Sequence, residues 1–289
     1  MVPVLGCVVW RRNQYSPRSG VLRLAGGLPG RKQSQSPRSP TCVPPMRRGL
    51  AELIRGLAQL FLPNSCLVCD APEGDRTDFR HGLCNECLRA VSHDPHSACP
   101  RCAATIGPHT DTKDGCAACR SVSLGFTSAM RLGPYAGRLR DAVLRMKSAH
   151  GEGLAEMMGR MLAEATATRL RSEGVEVVVP VPLHWRRWWE RGYNQSASVA
   201  REVAAHLGVA FAPRLLRRVK YSPQHLQPSA TARRENVKDA FRARRHASLR
   251  GRTVLLVDDV MTTGSTVGEA ARSLRDAGAA KVVVAVLAR

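Results

Sequence analysis

Thirteen consecutive residues, Val254-Leu-Leu-Val-Asp-Asp-Val-Met-Thr-Thr-Gly-Ser-Thr266, limit what this chain can become. Val254 to Val257 are all aliphatic and follow Gly251, Arg252 and Thr253, a pattern suited to a parallel strand covered on both faces. Asp258 and Asp259 stand at its carboxyl end, the edge at which open α/β sheets bind ligands. Thr262, Thr263, Gly264, Ser265 and Thr266 then offer amides and hydroxyls where a helix from Val267 to Ala277 is expected to start. A helix N-terminus attracts phosphate. An acid pair beside such a turn suits a sugar phosphate, with the carboxylates accepting from ribose hydroxyls. An ordinary strand-to-helix turn with Asp and Thr as capping residues is the plainer reading of the same stretch.

Eight cysteines impose a second constraint. They fall in four Cys-x-x-Cys pairs, Cys66/Cys69, Cys84/Cys87, Cys99/Cys102 and Cys116/Cys119, with fourteen residues between the first two pairs and thirteen between the last two. Each pair forms a knuckle that offers two thiolates, and two knuckles complete a four-cysteine zinc site. Nearest-neighbour pairing gives two structural Zn2+ ions; interleaved pairing, disulfides and an iron–sulfur cluster are the alternatives. Few large apolar residues lie between Asp70 and Ser123, so metal binding is expected to supply the folding free energy there.

Net charge narrows the partners. The chain of 289 residues carries 44 Lys and Arg against 23 Asp and Glu; nine of the basic residues, and no acid, lie in residues 1–48, leaving 35 against 23 elsewhere. Such a surface suits phosphate-rich partners, nucleic acid among them. Residues 1–45, rich in Ser, Pro, Gly, Arg and Gln, are expected to be a disordered basic extension, with Met46 a candidate natural start. Cys7 and Cys42 have no Cys-x-x-Cys partner there. No apolar run is long enough for a membrane span and no convincing signal peptide opens the chain, so a reducing, cytoplasmic location is expected.

Residues 46–63 read as an amphipathic helix carrying Leu50, Leu53, Ile54, Leu57, Leu60 and Phe61, stopped by Pro63, and 64–122 as a double zinc ribbon. The α/β domain is expected over 126–289. Its elements are a strand at Ala129–Tyr135, helices at 137–147 and 153–171, a buried strand at Val175–Val179, a helix at 194–207 and a fourth apolar strand at Lys281–Leu287. Pro180-Val181-Pro182 ends the second strand, and Arg186, Arg187 and Arg191 follow among Trp185, Trp188 and Trp189. Proline fixes φ, withdraws a donor and can adopt a cis bond, so this turn suits an anion cradle such as pyrophosphate needs. An exposed Arg/Trp loop with cation–π pairing is the competing reading. Arg214 to Arg252 holds twelve Lys or Arg and two acids; flanked by strand-like Leu215-Leu216 and Ala240-Phe241, its middle reads as a long mobile loop able to close over the site, or as a solvated basic face.

The stretch from Val254 to Thr266 resembles the phosphoribosyl-pyrophosphate (PRPP) signature of type I phosphoribosyltransferases. That resemblance implies Asp258 and Asp259 on the ribose 2′ and 3′ hydroxyls and Thr262 to Thr266 around the 5′-phosphate. Taken in order with the ribbon, Pro180-Val181-Pro182-Leu183, Arg191-Gly192-Tyr193-Asn194-Gln195 and Arg233-Arg234-Glu235-Asn236-Val237, the chain from about Leu60 to Arg289 is similar to the ComF family. The resemblance implies a type I phosphoribosyltransferase-like parallel sheet flanked by helices, preceded by a zinc ribbon, and a link to natural competence and DNA uptake. It implies Mg2+ with PRPP, a pyrophosphate site at Pro180, Val181, Pro182, Arg187 and Arg191, and single-stranded DNA with a competence helicase or other uptake proteins as partners. The catalytic half of the family resembles amidophosphoribosyltransferase. Tyr193 stands where the family usually has Phe, and no glutaminase segment is apparent. A transferase acting on a nitrogenous base or amine is the alternative to a PRPP-binding module.

Overall fold

A computed structural model describes residues 65–72, 79–80, 82–220, 235–246 and 249–289, all within one compact unit, Glu52–Arg289. The expectations for residues 1–45, for the helix at 46–63, and for Ser222 to Arg234 lie outside the described residues. The ribbon region contributes β1 (Phe79–Arg80), β2 (Leu83–Cys84) and α1 (Asn85–Ser92). There follow β3 (Ser128–Gly133), α2 (Gly137–Arg145), α3 (Glu152–Ser172), β4 (Val177–Pro180), α4 (Trp185–Arg191), α5 (Gln195–Leu207) and β5 (Ala210–Phe211). The last elements are β6 (Leu216–Arg218), β7 (Phe241–Ala243), β8 (Thr253–Val260), α6 (Ser265–Asp276) and β9 (Lys281–Ala288).

Five strands form one parallel sheet in the order β3-β9-β8-β4-β5. β4 returns through α5 to β5 on one side of the pair β4/β8, whereas β8 returns through α6 to β9 on the other. The two crossovers diverge and leave a crevice at the carboxyl ends of β4 and β8. Both faces are covered, which explains the unbroken aliphatic runs. Leu255 and Val257 pack with α2, α3 and α5, while Val254 and Leu256 pack with α6 and the β6–β7 hairpin.

The two ribbons straddle the β3 edge of this sheet. Cys66, Cys84, Cys87 and Val91 of the first join the core on the α2/α3 face. Cys99, Cys102, Cys116 and Cys119 of the second join the core on the α6 face. Arg131 of β3 ties them together from within: its side chain is fully buried and bonds Asp94 at 2.8 Å, Thr105 Oγ1 at 2.7 Å, Ala103 O at 3.1 Å and Arg289 O at 3.3 Å.

Several boundaries differ from the sequence expectation for physical reasons. The sheet has five strands rather than four, because the two-residue β5 is too short to show a period. β8 runs on to Val260, since β9 pairs it as far as Ala288 after β4 has ended at Pro180↔Val257. The acid pair therefore sits in a strand extension with one free edge. The Trp/Arg segment is the helix α4, capped by the His184 side chain and ended by Gly192 at φ 77°. No cis peptide occurs among the described residues, so Pro180 and Pro182 are trans. The basic segment agrees with expectation at its flanks: the strand-like Leu215-Leu216 and Ala240-Phe241 fall at β6 and β7, which pair antiparallel.

Candidate functional site

At the crevice lies a cavity of about 320 Å³, within the size range of small-molecule sites. Asp258, Asp259, Thr262, Thr263, Gly264, Ser265 and Thr266 line it from β8 and α6, and Val181, Pro182, Arg187 and Arg191 face them from behind β4. Pro180 is the exception. It is buried within the sheet, paired with Val257, and its part is to start the turn rather than to line the cavity. Arg186 is exposed, 5.4 Å above the Trp185 ring.

The turn into α6 is built on a glycine and small hydroxyl residues. Gly264 is the N-cap at φ 78°, left-handed backbone that favours glycine, and it has no side chain to cap the helix; Thr263 Oγ1 accepts a long bond from Ser265 N–H at 3.4 Å. Thr263 Oγ1 and Ser265 Oγ lie 2.8 Å apart. Ser265 and Thr266 belong to the first turn of the helix, two residues earlier than the sequence pattern placed its start.

The two acids are inequivalent. Burial and the neighbouring Asp259 push Asp258 up to about 8, against a Ser196 Oγ that donates to it at 2.9 Å. Burial also acts to raise Asp259, but Lys147 Nζ at 3.3 Å and Gln195 Nε2 at 3.2 Å outweigh it and hold that carboxyl below its ordinary range. Opposed shifts in adjacent acids are a mark of functional sites. Burial pulls the Arg191 and Arg218 guanidinium values down; both side chains line the same cavity.

Lys147, Gln195, Ser196, Arg218, Tyr135 and Asn236 were not marked as site residues by the sequence. Lys147 follows α2, more than a hundred residues before the acid it meets, and nothing local marks it. Gln195 had a signal, since it closes the Arg191–Gln195 run at the start of α5.

The cysteines form two separate quartets, Cys66/Cys69/Cys84/Cys87 and Cys99/Cys102/Cys116/Cys119, each with all Sγ atoms within 4.8 Å. Nearest-neighbour pairing is thus the observed one. A tetrahedral ion with Zn–S of about 2.3 Å requires S···S of about 3.8 Å. The observed separations of 3.8 Å for Cys69/Cys84, 3.9 Å for Cys99/Cys119 and 3.6 Å for Cys102/Cys116 fit that ion, and all eight thiols are free of disulfides. The ribbons repeat one another: Cys66 N bonds Ala71 O and Cys99 N bonds Ala104 O, with Asp70 and Ala103 both left-handed. Burial opposes ionisation of Cys66 and Cys99, yet backbone amides around each overcome it, lowering them to about 6 and about 7.

Comparison with known proteins follows this division. Residues 57–121 match the double zinc ribbon domain and residues 194–289 the phosphoribosyl transferase domain. The DNA utilization protein YhgH of Salmonella typhi is 33% identical over 234 residues, spanning 80% of this chain and 99% of that protein. Competence protein F of Haemophilus influenzae is 29% identical over 79% of this chain and 98% of its own length. The chain belongs to the ComF family. As in the ComF architecture expected, the metal centres are structural zinc sites with all four positions taken by cysteine. The amidophosphoribosyltransferase of Escherichia coli is 30% identical over 128 residues, 44% of this chain but 23% of that enzyme, so the likeness is confined to one part of it. No described helix of this ComF protein is long and apolar enough to cross a membrane.

Proposed function

We propose that this ComF-family protein binds PRPP at the β4/β8 crevice and serves the handling of DNA taken up by the cell, in the cytoplasm. One observation carries the reading: a buried acid pair and a helix N-terminus with a glycine N-cap line one cavity at the point where the sheet's crossovers diverge. Asp258 and Asp259 accept from the ribose hydroxyls, and the 262–266 turn with the α6 N-terminus holds the 5′-phosphate. Val181, Pro182, Arg187 and Arg191 face the pyrophosphate, with Pro180 fixing the turn. Mg2+ would supply positive charge to the diphosphate when bound with PRPP, and Asp259, the ionised member of the pair, is the kind of hard oxygen donor such an ion takes. The names of the relatives, DNA utilization protein and Competence protein F, support the second half of the reading.

Transfer chemistry is a second reading, favoured by the guanidinium groups at the diphosphate end of the cavity. The bond from the anomeric carbon to pyrophosphate breaks, the electron pair leaves on pyrophosphate, and a nitrogen of a base or amine bonds to that carbon and releases a proton to solvent. Preorganised cations stabilise the departing charge. Single-stranded DNA, with a helicase or other uptake protein, is the proposed macromolecular partner. Trp185, Trp188 and Trp189 are 60%, 48% and 75% exposed on α4 beside Arg186 and Arg187, an arrangement on which bases stack.

Calorimetry with Mg2+ and PRPP tests the first claim. Wild type is expected to bind, and the Asp258→Asn/Asp259→Asn variant to lose binding with both zinc ions kept. Wild-type protein that gives no heat overturns it. Acceptor-dependent release of pyrophosphate, assayed over a panel of bases and amines, decides the transfer reading.

A further inference from the structure

Among the described residues, two buried side-chain nitrogen or oxygen atoms lack a hydrogen-bond partner, Gln195 Oε1 and Arg218 Nη2. Both belong to residues that line the same cavity. Buried polar groups are nearly always paired, and an unpaired one keeps its full desolvation penalty. Two such atoms at one cavity, one an acceptor and one a donor, define what completes them.

The orientation of Gln195 is fixed by its neighbour. A carboxylate can only accept, so the amide must present Nε2 to Asp259 Oδ2, at 3.2 Å, and Oε1 must turn the other way. Gln195 is 3% exposed at the first position of α5 and cannot swing out to water. On the opposite wall, Arg218 extends from β6. Its Nε donates to Lys220 O at 3.2 Å and its guanidinium lies 5.5 Å over the Phe241 ring, which holds the fork in place. Burial and the nearby Arg187 both disfavour its charge, and Asp258 offsets them only in part. A guanidinium kept charged beside another guanidinium calls for an anion.

We propose that Gln195 and Arg218 are ligand-contacting residues of this cavity: Gln195 Oε1 accepts from a hydroxyl or a cation-bound water beside Asp259, and Arg218 donates to an anionic group distinct from the one at the α6 N-terminus. The ligand class is therefore a sugar phosphate carrying a second anionic group. This assignment rests on the sugar-phosphate reading above, and adds two contacts beyond the site residues read from the sequence. Arg218 also sits at the base of the segment joining β6 to β7, so an anion bound there connects the hairpin to the crevice.

The test is calorimetry on the full chain with three probes: PRPP with Mg2+, ribose 5-phosphate, and inorganic pyrophosphate with Mg2+. Loss of one hydrogen bond to a charged group weakens binding by about ten- to a hundredfold. Arg218→Met is expected to weaken PRPP and pyrophosphate by that factor and to leave ribose 5-phosphate unchanged, with Arg218→Lys partly restoring both. Gln195→Leu is expected to weaken PRPP and ribose 5-phosphate and to spare pyrophosphate. Gln195→Lys keeps a donor toward Asp259 but removes the acceptor. Binding as weak as that of the Leu variant supports the assignment, and wild-type-like binding shows that Gln195 only positions Asp259 and overturns it. Zinc content and melting temperature, expected to match wild type, separate these outcomes from misfolding. Variants that bind like a binding-competent wild type overturn this inference alone, whereas a wild type that binds none of the probes overturns the sugar-phosphate reading with it.

Discussion

The two zinc ribbons are near repeats in sequence and backbone, yet they brace the cavity in different ways. The first touches α2 through side chains: Cys87 and Val91 share a buried core with Leu139 and Val143, and on the surface Asp70 pairs with Arg145 and Glu86 with Arg138 at 3.4 Å. Beyond α2 lie Met146, whose carbonyl accepts from Tyr193, and Lys147, which meets Asp259. The second ribbon touches the site through backbone. A Cβ on Gly268 would lie 2.6 Å from Leu124 O, and one on Gly125 2.4 Å from Gly268 O, so the exit from the ribbon packs directly on α6. Leu124 and Phe126 lie beneath Gly264, the N-cap of α6. Surface pairs transmit little and side chains can re-pack, while backbone in direct contact with backbone has no such freedom and transmits displacement. The second ribbon should therefore set the geometry of the turn, and the first should mainly add stability.

The sharpest way to break this comparison is to remove one zinc at a time. Structural zinc binds with an apparent free energy of about 10 kcal/mol or more, so losing a ligand unfolds its ribbon. Cys102→Ser and Cys69→Ser are each expected to drop metal content by one zinc. Only the former should weaken PRPP binding strongly, by about tenfold, or about 1.4 kcal/mol. Equal losses in the two variants would show that the ribbons act alike.

Arg131→Leu tests the link between the ribbons. Breaking a buried ion pair while stranding its partner typically destabilises by about 3 kcal/mol, readable in a denaturant titration. Next comes Gly268→Ala, where the added methyl meets backbone and something must shift. Overpacking of that kind costs about 1–3 kcal/mol, and calorimetry should show weaker PRPP binding alongside the lower melting temperature.

A pH series sharpens the cavity side of the comparison. Folded Asp258 holds its proton up to about 8 against an ordinary 3.8, so its contribution to stability is complete below about 4 and is lost as pH rises toward 8. Asp259 has the opposite sign: its contribution is present above the ordinary carboxylate range and lost as pH falls through its depressed value. Wild type minus Asp258→Asn, followed as melting temperature from pH 5 to 8, should therefore decline with pH; a flat difference would contradict the assignment. The smallest effect is expected from Asp70→Ala, which breaks an exposed pair with Arg145 and should leave zinc content and PRPP binding unchanged.

Much of this molecule was legible in its sequence because the relevant chemistry is contiguous. Cys-x-x-Cys spacing places two thiolates on one turn, and a strand, two acids and a hydroxyl-rich turn follow one another within thirteen residues. Those patterns foretold the zinc quartets, the parallel sheet and the wall of the cavity formed by β8 and α6. What only the tertiary structure decided depends on strand order. Placing β4 beside β8 brings Gln195 to Asp259, and placing β3 at the far edge lets Arg131 join residues from Asp94 to Arg289. Lys147 and Arg218 likewise face the acids from elements remote in the chain. Local sequence specifies which groups a segment carries; only packing fixes which distant groups lie within a hydrogen bond of them, and which are left for a ligand to complete.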